Sequence, residues 1–251
     1  MISIVSLQLL LFVSLSKRQS MTVLKKGWSE SWNDILNGGS KRWKVDDVEA
    51  KQTALSHITD AVSSSDKPLR ILCPLAGDDQ FVHYAWTQGH DITAIDIVPE
   101  ALQAMRGQFG KDSQEEDWSA TSKDGGIIWK HKSGRAVLYE GDMLMKRPEL
   151  HSSFDVVYDK DSFGALHLEM RKPYCKRLSE FIKDDGVVYV EVKNKEMGRE
   201  AGPPYHVEKS DLMAETSFGG AFQYVKSLGE VYKLELDGLR QMGHILRRAR
   251  L

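Results

Sequence analysis

The sequence predicts an α/β fold: a mostly parallel seven-stranded sheet with helices on both faces, closed by a C-terminal antiparallel hairpin. Three observations carry that expectation. Short apolar runs alternate with amphipathic stretches between residues 70 and 192, the pattern of repeated strand–helix crossovers. The first run leaves through a proline–glycine turn, ILCPLAGDD (71–79), and the second, ITAIDI (92–97), finishes beside a lone carboxylate, Asp96. The C-terminal stretch holds two strand-like runs, 222–234 and 242–250, around charged turn residues.

The elements follow in order. Trp28 and Trp32 are spaced to share one helical face, and Gly38-Gly39 breaks that helix. VEAKQTALSHITDAV (48–62) has apolar residues at helical spacing, and SSSDKP (63–68) is a loop. RILCPL (70–75) is a buried strand, DDQFVHYAWTQG (78–89) a helix closed by Gly89, and DITAIDI (91–97) the second strand. PEALQAMRGQF (99–109) is a helix with proline at its favoured first position. KDSQEEDWSATSKDGG (111–126) reads as a polar loop. IIWKHKSGRAVLYEGD (127–142) reads as a hairpin turning at Ser133-Gly134. FDVVYDK (154–160) and GVVYVEV (186–192) are strands flanking a helix over 172–186, and 198–216 is a loop running into a capped helix.

Composition bounds the function. The chain has 251 residues, 41% hydrophobic and 28% charged, which suits one sizeable domain, assigned to 21–251. Basic and acidic residues number 34 and 36, for a net charge of -2, so no polyanion-binding field arises and no nucleic-acid partner is expected. Cys73 and Cys175 lie far apart with no zinc spacing, so they read as reduced thiols of an intracellular protein without a metal. The apolar stretch 2–15, followed by Lys17 and Arg18, is shorter than the roughly 20 residues of a membrane span. It has the length of a signal core, but no basic residue precedes it and no clear cleavage site follows. A targeting or anchor segment, a start-site artefact (Met21 offers a second start) and a docked helix all stay open for 1–20. The remainder is expected to be a cytoplasmic monomer without stable membrane insertion.

In a parallel sheet, ligands sit beyond the carboxyl ends of the strands. At the first tip Gly77 allows close backbone approach, and the alternative is a plain turn with Asp78 or Asp79 as a helix cap. Asp96 stands roughly 20 residues further on, where a carboxylate accepts from ribose hydroxyls or else caps the next helix. Asp142 and Met143 follow the third strand, suited to an adenine or to an ordinary turn. YDKDSF (158–163) places three charges at the fourth tip, facing a ligand or water.

These residues resemble the thiopurine S-methyltransferase family, which includes thiol and halide or thiocyanate methyltransferases. The resemblance spans roughly 27–250 and rests on GWSESW, RILCPLAGDDQFVHYAWTQGHDITAIDI, KSGRAVLYEGDML, FDVVYDKDSFGAL and GPPYHV. It implies a Rossmann-like class I methyltransferase fold and S-adenosyl-L-methionine as cofactor. Trp28, Trp32 and Trp43 match aromatics that cover the cofactor, Trp43 also lying beside the acceptor. Leu75, Gly77, Asp96, Ile97, Asp142 and Met143 match the cofactor's turn, ribose and adenine contacts. Asp159 and Lys160 match an acid–arginine pair given both cofactor and catalytic roles, lysine replacing arginine; a lysine cannot make the planar two-pronged contact of a guanidinium. Pro203, Pro204 and Tyr205 match the loop that shapes the acceptor pocket.

The function so implied is methyl transfer to a small soft nucleophile: a thiol, thiopurine-like compound, selenol or halide. Two other readings stand beside it. A nicotinamide oxidoreductase would share the first two tips but lacks the glycine fingerprint here. A cofactor-binding protein without turnover would keep the fold alone.

Overall fold

A computed structural model describes residues 29–35, 37–39, 48–62, 67–110, 115–234 and 238–249. Trp28, Trp43 and the apolar stretch 1–20 lie outside the described residues. One nine-stranded sheet runs through the molecule in the order β3-β4-β5-β2-β1-β6-β7-β9-β8. Its parallel centre is β5 (Ala136–Glu140), β2 (Asp91–Asp96), β1 (Arg70–Pro74), β6 (Phe154–Lys160) and β7 (Ile182–Lys195). The expected C-terminal hairpin is present as β8 (Phe222–Tyr232) and β9 (Leu239–Arg248), with β9 antiparallel to β7.

Strand alternation divides the core into two layers. Ile71 and Cys73 of β1 face α2 (Val48–Ala61), α3 (Gln80–Thr87) and α4 (Pro99–Arg106), together with Tyr158, Tyr189 and Ile245. Leu72 faces the other way with Val157, Val188 and Leu246. There it meets α5 (Ser162–Ala165), α6 (Leu168–Phe181) and α7 (Lys209–Leu212). Phe81 stacks on Tyr158 at 3.7 Å between ring centroids, and Tyr158 stacks on Tyr189 at 5.7 Å. A short helix α1 over 29–35 carries Trp32, and Gly38 ends its turn at φ +93°.

Two stretches differ from expectation. The polar loop over 111–126 contains β3 (Trp118–Lys123), paired antiparallel with β4 (Gly126–His131). Only Trp118 of β3 is buried, so this edge strand carries no apolar period; its signal was the Asp124-Gly125 turn, with φ of +49° and +79°. β4 and β5 form the hairpin expected over 127–142, and with β3 the sheet has nine strands rather than seven. The helix expected over 172–186 begins at Leu168 and stops at Phe181, where β7 takes over directly. Cys73 and Cys175 are buried, unbridged thiols, as expected.

Phe81 is fully buried. Phe81→Ala should therefore lower unfolding free energy by about 3–5 kcal/mol, read from urea denaturation.

Candidate active site at the carboxyl edge of the sheet

The turns after the parallel strands are stitched to one another. Ala76 N–H donates to the Ile95 carbonyl at 3.2 Å, and Gly141 N–H to the Asp96 carbonyl at 2.8 Å. Ser162 Oγ donates to the Pro74 carbonyl at 2.7 Å, and Asp161 N–H to the Glu191 carbonyl at 2.9 Å. The tips of β5, β2, β1, β6 and β7 therefore form one continuous rim.

Asp96 is the centre of its first half. Its carboxylate accepts the Gly77 N–H at 2.7 Å through one oxygen and the Val98 N–H at 2.9 Å through the other. Burial pushes its carboxyl above the ordinary range and Asp78 adds to that rise, against the lowering by the three main-chain N–H groups of Val98, Gly77 and Ile97. A carboxylate has about four lone-pair sites, so capacity remains for hydroxyl donors. Close by, two buried acceptors lack a donor: Oε2 of Glu100, in the first turn of α4, and Oε1 of Gln108, whose amide nitrogen holds the Asp78 carbonyl at 2.6 Å. Orphaned acceptors beside an acid suit a polyhydroxylated ligand. Neither Glu100 nor Gln108 was singled out in the sequence; Glu100 lies in the first turn of α4, and Gln108 in the short 3-10 turn that follows it.

The Gly77 turn needs its glycine. Gly77 sits at φ +55°, preceded by Leu75 at +46°, and a Cβ at Gly77 would approach Trp32 Cζ2 to 3.0 Å. The Trp32 indole thus lies over the turn and packs with Ile97, Val98 and Ala101. It packs against the side of the turn on which a Gly77 side chain would stand. Asp79 is the N-cap of α3, accepting from Phe81 N–H at 2.8 Å, so the helix-cap reading of this acid holds.

At the third tip, Asp142 closes its own turn by accepting from Leu144 N–H at 2.7 Å, while Met143 is 2% exposed in the α6-side core. A shallow open cleft lies on the β4 side of this tip, lined by Tyr139, Gly141, Met145 and Arg147. It flanks the rim rather than the Gly77 turn.

The fourth tip separates two residues that the sequence reading paired. Asp159 and Lys160 are adjacent on a strand, so they point to opposite faces. Asp159 is fully buried on the α6 side, where Tyr174 Oη donates to it at 2.7 Å and Phe163 N–H at 3.0 Å. Burial raises its carboxyl to about 7. Both oxygens are engaged in holding α5 and α6, on the face opposite Lys160. Lys160 stays on the rim, 3.3 Å from Asp79. Burial works against its ammonium, but Asp79, Glu191 and Asp161 outweigh that and hold it above its ordinary range.

The acceptor-side loop docks through Tyr205, whose N–H donates to the Gly164 carbonyl at 2.7 Å and whose hydroxyl meets His167 Nδ1 at 2.8 Å. Pro204 packs on Gly164 beside it, and Pro203 precedes it in the same turn. Among the described residues no cluster of metal-ligating side chains occurs, and no helix is long and apolar enough to cross a membrane.

The profile of the family described as Thiopurine S-methyltransferase matches residues 25–241. The chain belongs to the thiopurine S-methyltransferase family. That match takes it out of the nicotinamide reading. Among its relatives is the thiopurine S-methyltransferase of Pseudomonas putida, 24% identical over 143 residues, or 57% of this chain and 63% of that protein. The thiocyanate methyltransferase 1 of Brassica oleracea is 29% identical over 201 residues, 78% of this chain and 75% of that one. The match with the bacterial family members thus spans less than two thirds of their length. In fold, the chain is similar to the 1,6-didemethyltoxoflavin-N1-methyltransferase of Burkholderia thailandensis, with a TM-score of 0.64, 17% identity and coverage of 93% and 90%. It is also similar to the N-methyltransferase NodS of Bradyrhizobium japonicum, with a TM-score of 0.62, 13% identity and coverage of 88% and 98%. The family's sheet is therefore the frame on which the rim is built.

Two outcomes test this geometry. Gly77→Ala forces a side chain into left-handed backbone against Trp32 and should cost about 1–3 kcal/mol in a urea titration. The folded state keeps the Asp159 proton up to about 7, whereas the ordinary value is 3.8, so stability present below that ordinary value is lost as pH rises through 7. Asp159→Asn has no proton to lose there, and its stability relative to wild type should rise between about pH 5 and pH 8, read from urea midpoints.

Proposed function

We propose that the chain is an S-adenosyl-L-methionine-dependent methyltransferase acting on a small soft nucleophile such as a thiol, selenol or halide. One observation carries the reading: the Asp96 carboxylate and the left-handed Gly77 turn are bound into a single unit at the sheet's carboxyl edge. The family match and the names of the relatives, thiopurine S-methyltransferase and thiocyanate methyltransferase, support a soft acceptor. Structural neighbours described with bound S-adenosylhomocysteine support the donor.

The residues fit that donor. Asp96 would hold the ribose, with Glu100 and Gln108 as further acceptors, and Asp142 and Met143 would bound the adenine between themselves and Ile97. Leu75 and Gly77 would meet the amino-acid end, and Trp32 is the aromatic cover, a surface that attracts onium ions. Trp28 and Trp43 would complete that cover. When bound, the donor supplies an electrophilic sulfonium methyl. The chain's own contribution is to align the acceptor and exclude water, effects worth several kcal/mol in favourable cases. Lys160, held charged beside Asp79, would stabilise an anionic nucleophile, while Pro203, Pro204 and Tyr205 shape the acceptor's side. We read the protein as a monomer taking small molecules and no nucleic acid.

Incubation with isotopically methyl-labelled S-adenosylmethionine and a panel of thiols and iodide, followed by mass spectrometry, should show label in the acceptor. Donor binding without label transfer would favour the non-catalytic reading. Asp96→Asn should weaken S-adenosylhomocysteine binding by about 10- to 100-fold in calorimetry, the loss expected for charge-assisted hydrogen bonds. Unchanged affinity would remove Asp96 from the site.

A further inference from the structure

Lys160 leads into a buried polar network that the reading above does not use. On the face shared with Tyr158 and Lys160, Glu191 and Lys193 of β7 and Gln241 of β9 are 1%, 4% and 0% exposed. Glu191 Oε1 accepts from Tyr189 Oη at 2.7 Å, and its Oε2 accepts from Tyr232 Oη at 3.0 Å and Gln241 Nε2 at 3.1 Å. Gln241 Nε2 also reaches Asp161 Oδ1 at 3.2 Å, and Lys193 Nζ lies 3.2 Å from Asp161 Oδ2. Asp161 adopts φ +59°, a left-handed conformation that a non-glycine residue takes only when its surroundings enforce it.

Tyr189 and Gln241 are fully buried, whereas Tyr232 is partly exposed, so among the donors on Glu191 it alone reaches the surface. Gln241 Nε2 bridges Glu191 Oε2 and Asp161 Oδ1, so the Tyr232 hydroxyl, which donates to the same Glu191 oxygen, stands on the fourth-tip side of the network. Neither Asp159 nor Lys160 of the fourth strand tip is a free base. Asp159 faces the opposite layer, and Lys160 keeps its proton.

Resting on the methyltransferase reading, we propose that Glu191, reached through the Tyr232 hydroxyl, receives the proton of a protonated thiol acceptor. The S–H bond breaks and its proton passes to Tyr232 Oη while the tyrosine's own proton moves to Glu191 Oε2. The sulfur keeps the electron pair and forms the new C–S bond, the old carbon–sulfonium pair returning to the donor's sulfur. The proton leaves Glu191 by the same hydroxyl after the thioether departs. Burial raises the Glu191 carboxyl, with Asp161 adding to the rise and Lys160 and the two tyrosine hydroxyls opposing it, so the group is suited to hold a proton briefly.

The test compares wild type, Glu191→Gln and Tyr232→Phe on two acceptors: an aliphatic thiol, protonated at assay pH, and a nitro-substituted aromatic thiol, already ionised. Both variants should lose about 100-fold in kcat on the aliphatic thiol but less than about threefold on the ionised one, with the aliphatic rate recovering as pH rises. Without donor, and at an acidic pH where free thiophenol is protonated, its binding to wild type should produce thiolate absorbance in the ultraviolet that Glu191→Gln does not. Equal losses on both acceptors, or an unchanged aliphatic rate, would mark the network as structural and overturn the proposal. A wild type that methylates neither thiol overturns the reading beneath it. If one variant does not fold, the other decides.

Discussion

The Asp96 carboxylate, clasped by the main-chain N–H groups of Gly77 and Val98, is the interaction on which the carboxyl edge depends. An acid buried to 7% exposure is costly unless donors surround it. Here the donors come from the turn after β1 and the start of α4, so satisfying the charge fixes where both begin. Gly141 then bonds to the Asp96 carbonyl, extending the same constraint to the turn after β5. One residue, through its carboxylate and its carbonyl, thereby ties three strand tips together before any ligand arrives.

The second half of the rim obeys a different constraint, the two-residue period of strands. It sends Asp159 into the α6 layer, where it anchors helices, and Lys160 onto the opposite face. The same period puts Tyr189, Glu191 and Lys193 on the Lys160 side and leaves Val190 and Val192 to the apolar layer. Asp79, Asp161 and Glu191 face Lys160 and Lys193 across this half, so each buried charge has a counterpart nearby. Pairing of that kind keeps ionised groups in a dry place without an isolated charge.

Alternating apolar runs, the glycine turn and the acids at strand ends were local features, set by backbone geometry and hydrophobic period, so the sequence by itself determined the parallel sheet, its hairpin end and the residues of the first two tips. It left β3 unread, because an edge strand exposed along nearly its whole length has no apolar period, and the family resemblance paired Asp159 with Lys160 although neighbours on a strand face opposite ways. The network around Glu191 joins β6, β7, β8 and β9, segments up to 80 residues apart. Only the tertiary structure decided that assembly, since its partners are chosen by strand order and register, and no short stretch of chain encodes either one.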